Sequence, residues 1–280
     1  MSSVFDEKHT TRRAAALGAV GLLALAGCAT PDAEAAGHTS PPEDEAVEEL
    51  TVEVIEAFDH DGTSFTQGLE LAEHPEFGTV LYESAGLYGS SDVRIADPGT
   101  GDVLLSQDLP ATQFAEGLTL TEDDLWQITW KEGVAHRRDP VSLDVKETVE
   151  YEGEGWGICY DGERLVMSDG SATLTFRDPV TFEETGSVEV TLDDVPVFQI
   201  NELECVDGQV WANLWLTDRI VRIDPATGEV GAVVDAAGLL TPEEAAGADV
   251  LNGIAAAEEE GEFYITGKEW PKLFLVRFVP

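Results

Sequence analysis

From residue 51 to the end of the chain, short alternating or wholly apolar runs are separated by Gly, Asp and Pro. Thr79-Val80-Leu81-Tyr82, Leu174-Thr175-Phe176 and Val210-Trp211-Ala212-Asn213-Leu214 have the length and the β-branched and aromatic content of strands. Long helical periodicity is absent. The exception is Thr241 to Ala248, where a Thr followed by Pro and Glu predicts a short helix with a capped start. One element recurs: a strand ends near a basic residue, an Asp-Pro turn follows, and a second strand begins. It occurs as Arg94-Ile95-Ala96-Asp97-Pro98, Arg138-Asp139-Pro140, Arg177-Asp178-Pro179 and Arg222-Ile223-Asp224-Pro225, with aspartates 42, 39 and 46 residues apart. Leu273-Phe274-Leu275-Val276-Arg277-Phe278 closes the chain as a fifth strand of this type.

Repeats of about 40–50 residues with about four strands each mark propeller blades, in which no blade buries its core alone. The expectation is an all-β, five-bladed β-propeller over residues 51–280. Leu50 to Ala57 (LTVEVIEA) is a strand with no blade of its own, and is expected to join the final blade as its outer strand and close the ring. A β-sandwich would not account for the spacing. The Asp-Pro turns are structural: Asp hydrogen-bonds nearby backbone and Pro pre-sets the turn.

Composition narrows the partners. There are 56 acidic residues against 15 basic ones, a net charge of −41, and only five of the basic residues are lysines. Nucleic acid is not an expected partner, because phosphate binding needs clustered Lys and Arg. So large a charge repels itself in dilute buffer, whereas at molar salt the Debye length is about 3 Å. The acids run along the whole chain rather than in one tail, which points to work in concentrated salt.

The N-terminal segment is an address rather than part of the fold. Arg12-Arg13 is a twin-arginine pair, and the apolar run Ala14 to Ala26 is too short to span a bilayer permanently. It ends in Leu25-Ala26-Gly27-Cys28, a lipobox-like sequence in which the Cys28 thiol would take the lipid. Residues 1–28 are thus expected to export the protein and anchor it by lipid on the outer face of the cytoplasmic membrane. Residues 29–50, rich in Ala, Pro, Ser, Thr and Glu, are expected to form a disordered tether. Two further cysteines, Cys159 and Cys205, lie in strand-like segments beside apolar residues. An exported protein permits them to pair, but nothing in their spacing argues for it, so buried free thiols are expected. No cysteine–histidine spacing resembles a zinc site.

Between the turns, polar side chains stand in apolar, glycine-rich settings. Phe65-Thr66-Gln67-Gly68-Leu69 and Phe114-Ala115-Glu116-Gly117-Leu118 share one form, 49 residues apart. Gln127-Ile128-Thr129-Trp130, Gly153-Glu154-Gly155-Trp156-Gly157, Asn201-Glu202-Leu203-Glu204, Trp215 and Thr266-Gly267-Lys268-Glu269-Trp270 follow. Each alone has an ordinary explanation as turn, core or solvated residue. Together they supply a small polar site with aromatic walls, of the kind propellers place at one mouth of the central channel.

These segments resemble the plant and bacterial type of glutaminyl-peptide cyclotransferase. FTQGLEL, YESAGLYGSSDVR, FAEGLTL, QITWK, EGWGICYDG, LVMSDG, INELE, NLWLTDRIVRIDPATG, DVLNGIA and TGKEWPKLF fall in order from residue 65 to residue 274. The resemblance implies a five-bladed propeller, independently of the repeat count. It places the catalytic glutamate on Glu116, the polar pocket residues on Gln67, Asn201 and Lys268, with Lys272 nearby as the other lysine, and the aromatic lining on Phe65, Phe114, Trp130, Trp156 and Trp215. It implies cyclisation of the N-terminal glutamine of peptides or exported proteins to pyroglutamate with release of ammonia, with no cofactor or metal. The chain departs from the family at Ala115, at Cys205 and at His136-Arg137-Arg138. Two other functions fit a propeller: a metal-dependent lactonase or hydrolase, for which Asp169, Glu202 and Glu204 are the available oxygen ligands, and a non-catalytic binding propeller on the cell surface. A monomer is the default for a closed propeller.

Overall fold

The computed structural model describes residues 46–280, so Arg12, Arg13, Cys28 and the tether up to residue 45 lie outside the described residues. The described residues are all-β. Strand β1 (Glu48–Asp59) precedes a meander of β2 (Thr66–His74), β3 (Gly78–Ala85), β4 (Asp92–Ala96) and β5 (Val103–Asp108). A second meander follows: β6 (Ala115–Leu120), β7 (Leu125–Thr129), β8 (Val134–Arg138) and β9 (Val145–Glu150). A third comprises β10 (Ile158–Tyr160), β11 (Leu165–Met167), β12 (Thr173–Arg177) and β13 (Glu184–Glu189). After the small hairpin of β14 (Thr191–Leu192) and β15 (Val195–Pro196) come β16 (Ile200–Val206), β17 (Gln209–Leu214), β18 (Arg219–Ile223) and β19 (Val230–Asp235). The chain ends in β20 (Leu251–Ala256), β21 (Glu262–Gly267) and β22 (Lys272–Val279). These last seven strands and β1 form one eight-stranded sheet in the order β16-β17-β18-β19-β1-β22-β21-β20. β1 pairs antiparallel with β22, from Thr51↔Val279 to Asp59↔Lys272, and parallel with β19. The strand starts at Glu48, so the last residues of the segment expected to be a tether belong to the sheet.

The recurrent aspartates make the turn between the third and fourth strands of each meander. Asp97, Asp139, Asp178 and Asp224 each accept backbone N–H bonds on Oδ1 from residues two or three further on, at 2.7–3.1 Å. The residue four beyond each donates to that aspartate's carbonyl and is left-handed. Gly101 and Gly228 suit that position, while Leu143 and Phe182 hold it as buried residues. The meanders pack through their first strands. A Cβ on Gly68 would lie 2.5 Å from the nitrogen of Leu118, and one on Gly117 2.7 Å from that of Ile158, so only glycine lets β2 approach β6 and β6 approach β10 so closely.

Two expectations need correction. Cys159 and Cys205 are joined by a disulfide, with Cα atoms 5.4 Å apart. Their separation of 46 residues is one repeat, which puts them at neighbouring places on the first strands β10 and β16. The segment Thr241 to Ala248 contains only a short 3-10 turn, Glu244–Ala246. Its N-cap residue, Glu243, makes no side-chain cap bond; instead Thr241 and Glu244 bond each other across the preceding turn, Thr241 N–H to Glu244 Oε2 at 2.9 Å and Glu244 N–H to Thr241 Oγ1 at 3.3 Å.

Candidate active site

The polar and aromatic motifs come together at one end of the sheets. Gln67 and Glu116 sit near the starts of β2 and β6, each before the glycine that permits close strand packing. Asn201 occupies the start of β16; Trp156 precedes β10; Trp130, Trp215 and Lys268 follow β7, β17 and β21. These residues, with Phe65 and Phe114, line one cavity of about 290 Å³, which Leu216 and Asp249 complete. The Phe65 and Phe114 rings meet edge to face at 6.0 Å, Phe114 and Trp130 at 5.5 Å, and Trp156 and Trp215 at 5.4 Å.

Glu116 is only 4% exposed. Burial pushes its carboxyl well above the usual range; the Lys268 charge opposes this, and Glu154 and Glu132 reinforce it. Lys268 is equally buried, its ammonium 4.8 Å from the centre of the Phe65 ring. Burial lowers its pKa against the charges of Glu116 and Asp249. The cavity thus holds a buried acid and a buried amine, each drawn toward its neutral form by desolvation and toward its charged form by the other. Lys272 is not at the cavity: its ammonium pairs with Asp59 at 2.6 Å.

Three groups in the surrounding shell carry no role in the sequence reading. Glu154 Oε2 accepts from the indole N–H of Trp130 at 2.8 Å and of Trp156 at 3.2 Å, tying two aromatic walls to one oxygen. Asn252 Nδ2 donates to Gln67 Oε1 at 3.2 Å. Ser168 Oγ donates to the Asn201 carbonyl at 2.6 Å and accepts from Gly157 N–H at 2.8 Å, joining the Trp156 loop to the Asn201 strand. A signal for Asn252 existed: Asn252-Gly253-Ile254 repeats the polar–Gly–aliphatic pattern of Gln67-Gly68-Leu69 and Glu116-Gly117-Leu118.

The departures from the family pattern serve the fold. Arg138 is buried and donates to Gln127 Oε1 at 3.0 Å and the Leu143 carbonyl at 2.9 Å, while His136 bonds Gln113 Oε1 at 2.8 Å. Two of the acids available to a metal-dependent hydrolase, Glu202 and Asp169, have other employment. Glu202 accepts from Leu69 N–H at 3.2 Å and Ile254 N–H at 2.8 Å, stapling β16 to β2 and β20. Asp169 is exposed and bonds Ser171 N–H at 2.9 Å. Among the described residues, no three His, Cys, Asp or Glu side chains group as a metal site.

Comparison with known proteins gives the family. The family model for glutamine cyclotransferase matches residues 19–278. A glutaminyl-peptide cyclotransferase of Arabidopsis thaliana is 38% identical over 230 residues, which cover 81% of this chain and 71% of that protein. The crystal structure of Myxococcus xanthus glutaminyl cyclase superposes with a TM-score of 0.73 at 38% identity, covering 83% of this chain and 98% of the other. With the motifs in order along the chain and their side chains gathered in one cavity, the chain belongs to the glutamine cyclotransferase family.

Proposed function

We propose that this protein is a glutaminyl-peptide cyclotransferase that converts the N-terminal glutamine of peptides and proteins to pyroglutamate and releases ammonia. Family membership and the 38% identity to a plant glutaminyl-peptide cyclotransferase support the activity. The observation that carries the assignment of roles is the buried Glu116 carboxyl facing the Lys268 charge inside an aromatic cavity.

In this reading the α-amine nitrogen attacks the substrate's side-chain amide carbon. The new C–N bond closes the five-membered lactam, and the old C–N bond breaks. Both groups belong to one residue, so the protein needs only to hold the folded rotamer. Glu116 takes a proton from the attacking nitrogen and delivers it to the departing one, which leaves as ammonia. Asn201 and Lys268 are the donors for the oxygen that becomes negative in the tetrahedral intermediate. Gln67 holds the substrate amide through Nε2, since its Oε1 already accepts from Asn252. The tryptophans keep water from the reacting atoms.

The same reading takes the fold as a five-bladed propeller. The eight-stranded sheet then comprises two blades joined along the parallel β19–β1 seam, with β1 as the outer strand of the last. The repeat spacing and the β1–β22 pairing support it. The twin-arginine pair and Cys28 support export and lipid anchoring, and the −41 charge supports a monomer at work in concentrated salt on the outer membrane face. Ammonia release from a Gln-initiated dipeptide in molar salt tests the activity, with Glu116→Gln and a chelator as controls. Release by the wild type, unchanged by chelator and lost in the variant, is the expected result. No release from folded wild-type protein would move the assignment to a binding propeller.

A further inference from the structure

Trp215 and Leu216 are the middle residues of the turn from Leu214 to Thr217 that joins β17 to β18, closed by Thr217 N–H donating to the Leu214 carbonyl at 3.1 Å. Leu216 takes the third position of this turn with φ +64°. Glycine or asparagine is the favoured residue there, because a Cβ on left-handed backbone crowds the carbonyl oxygen; glycine has none and asparagine offsets the cost by local hydrogen bonds. Gln199, whose carbonyl accepts Trp215 N–H at 2.8 Å, is also left-handed, with φ +68°. Strained backbone therefore flanks the Trp215 wall on both sides. Leu216 is 65% exposed, so the strain is not repaid by core packing. Yet Leu216 lines the same cavity as Glu116. Left-handed backbone held at a cavity wall without core packing points to a role in contacting a ligand.

We infer that Leu216 sets specificity for the residue following the substrate's N-terminal glutamine, favouring a bulky apolar side chain there. This rests on the cyclotransferase reading. Cyclisation requires the α-amine and the side-chain amide of one glutamine to reach Glu116. The rest of the peptide must then leave through the open side of the cavity. Leu216 is the lining residue exposed enough to meet it that offers only apolar contact. Such contact favours a large apolar second residue over glycine and gives a charged one nothing.

The test compares kcat/KM for ammonia release from Gln-Phe-amide and Gln-Gly-amide, using the full-length wild type, Leu216→Gly and Leu216→Asn in molar salt. The wild type is expected to favour the phenylalanine peptide by about tenfold, and both variants to bring the ratio within about twofold. Thermal midpoints of the variants are expected not to fall, since both replacements suit left-handed backbone. Equal values for the two peptides in the wild type, or an unchanged ratio in both variants, overturn the inference. So does a lowered midpoint in both variants, which would make Leu216 a packing residue. No ammonia from either peptide with folded wild type overturns instead the cyclotransferase reading beneath it.

Discussion

The side-chain amide of Asn252 donates to Gln67 Oε1 at 3.2 Å across 185 residues of sequence, and to the Thr66 carbonyl at 3.0 Å. The bond engages Oε1, so in the proposed mechanism Nε2 is the end of the Gln67 amide offered to substrate. Asn252→Asp replaces the donor with an acceptor facing two other acceptors. It is expected to raise KM for a Gln-initiated dipeptide roughly tenfold and to cost about 1–3 kcal/mol of stability, the usual range for a buried group left unpaired. Steady-state kinetics and thermal unfolding of the variant check both.

In the proposed mechanism Glu116 must be ionised to take a proton, and burial holds its carboxyl well above its ordinary value of 4.5. Ammonia release should therefore fall, as pH is lowered, at higher pH than an ordinary carboxylate would give. Glu116→Gln should reduce kcat by roughly 10²–10⁴-fold. A pH series of initial rates, with the variant alongside, measures both.

Glu154 ties together the indoles of Trp130 and Trp156 and adds a negative charge that raises the Glu116 pKa. Glu154→Ala loses both functions. Glu154→Gln keeps a carbonyl oxygen for the indoles and loses only the charge. The alanine variant is expected to lower kcat/KM about tenfold and to change tryptophan fluorescence, while the glutamine variant keeps most activity. Removing the charge lowers the Glu116 pKa, so the acid limb of the glutamine variant should move to lower pH. A limb that stays in place would leave Glu154 with the indoles alone.

Behind the Phe65 wall, Glu83 accepts from Ser64 Oγ at 2.5 Å and Thr66 Oγ1 at 2.6 Å and pairs with His60 at 3.3 Å. Burial acts to raise the Glu83 pKa, but the charge and hydrogen bond of His60, with Arg94 and Ser64, outweigh it and bring it to about 2. For a carboxyl depressed on folding, the stabilisation is complete above its ordinary 4.5 and is lost as pH falls toward 2. Burial acts to lower the His60 pKa, and Glu83 more than offsets it; that contribution is complete below 6.5 and is lost as pH rises through the raised value. The pair therefore stabilises most between about pH 4.5 and 6.5. Glu83→Gln should cost about 3–5 kcal/mol in that window by leaving a buried partner unmatched, and should flatten the acid side of the stability curve. Chemical unfolding at several pH values at fixed salt checks this.

Much of the site was legible because its signals are local. The repeat shows through the Asp-Pro turns, since an aspartate captures backbone N–H groups two and three residues away whatever the rest of the chain does. Gln67 and Glu116 show through the following glycine, which close packing of first strands requires. The cysteine pair is not legible in the sequence for the converse reason. Spacing within the chain says nothing about bonding until a spacing of one repeat is seen as adjacency on neighbouring strands.

The sequence by itself determined the all-β meanders, the turn that repeats within them and the residue types of the cavity, because strand, turn and close-packed glycine are set by near neighbours. Only the tertiary structure decided which lysine enters the cavity and which pairs with Asp59, which oxygen joins two tryptophans, and which end of the Gln67 amide is held by Asn252. It alone put an exposed leucine on left-handed backbone at the cavity wall. Each of these depends on groups far apart in the chain, or on a backbone angle, and is fixed only once strands from different repeats have packed.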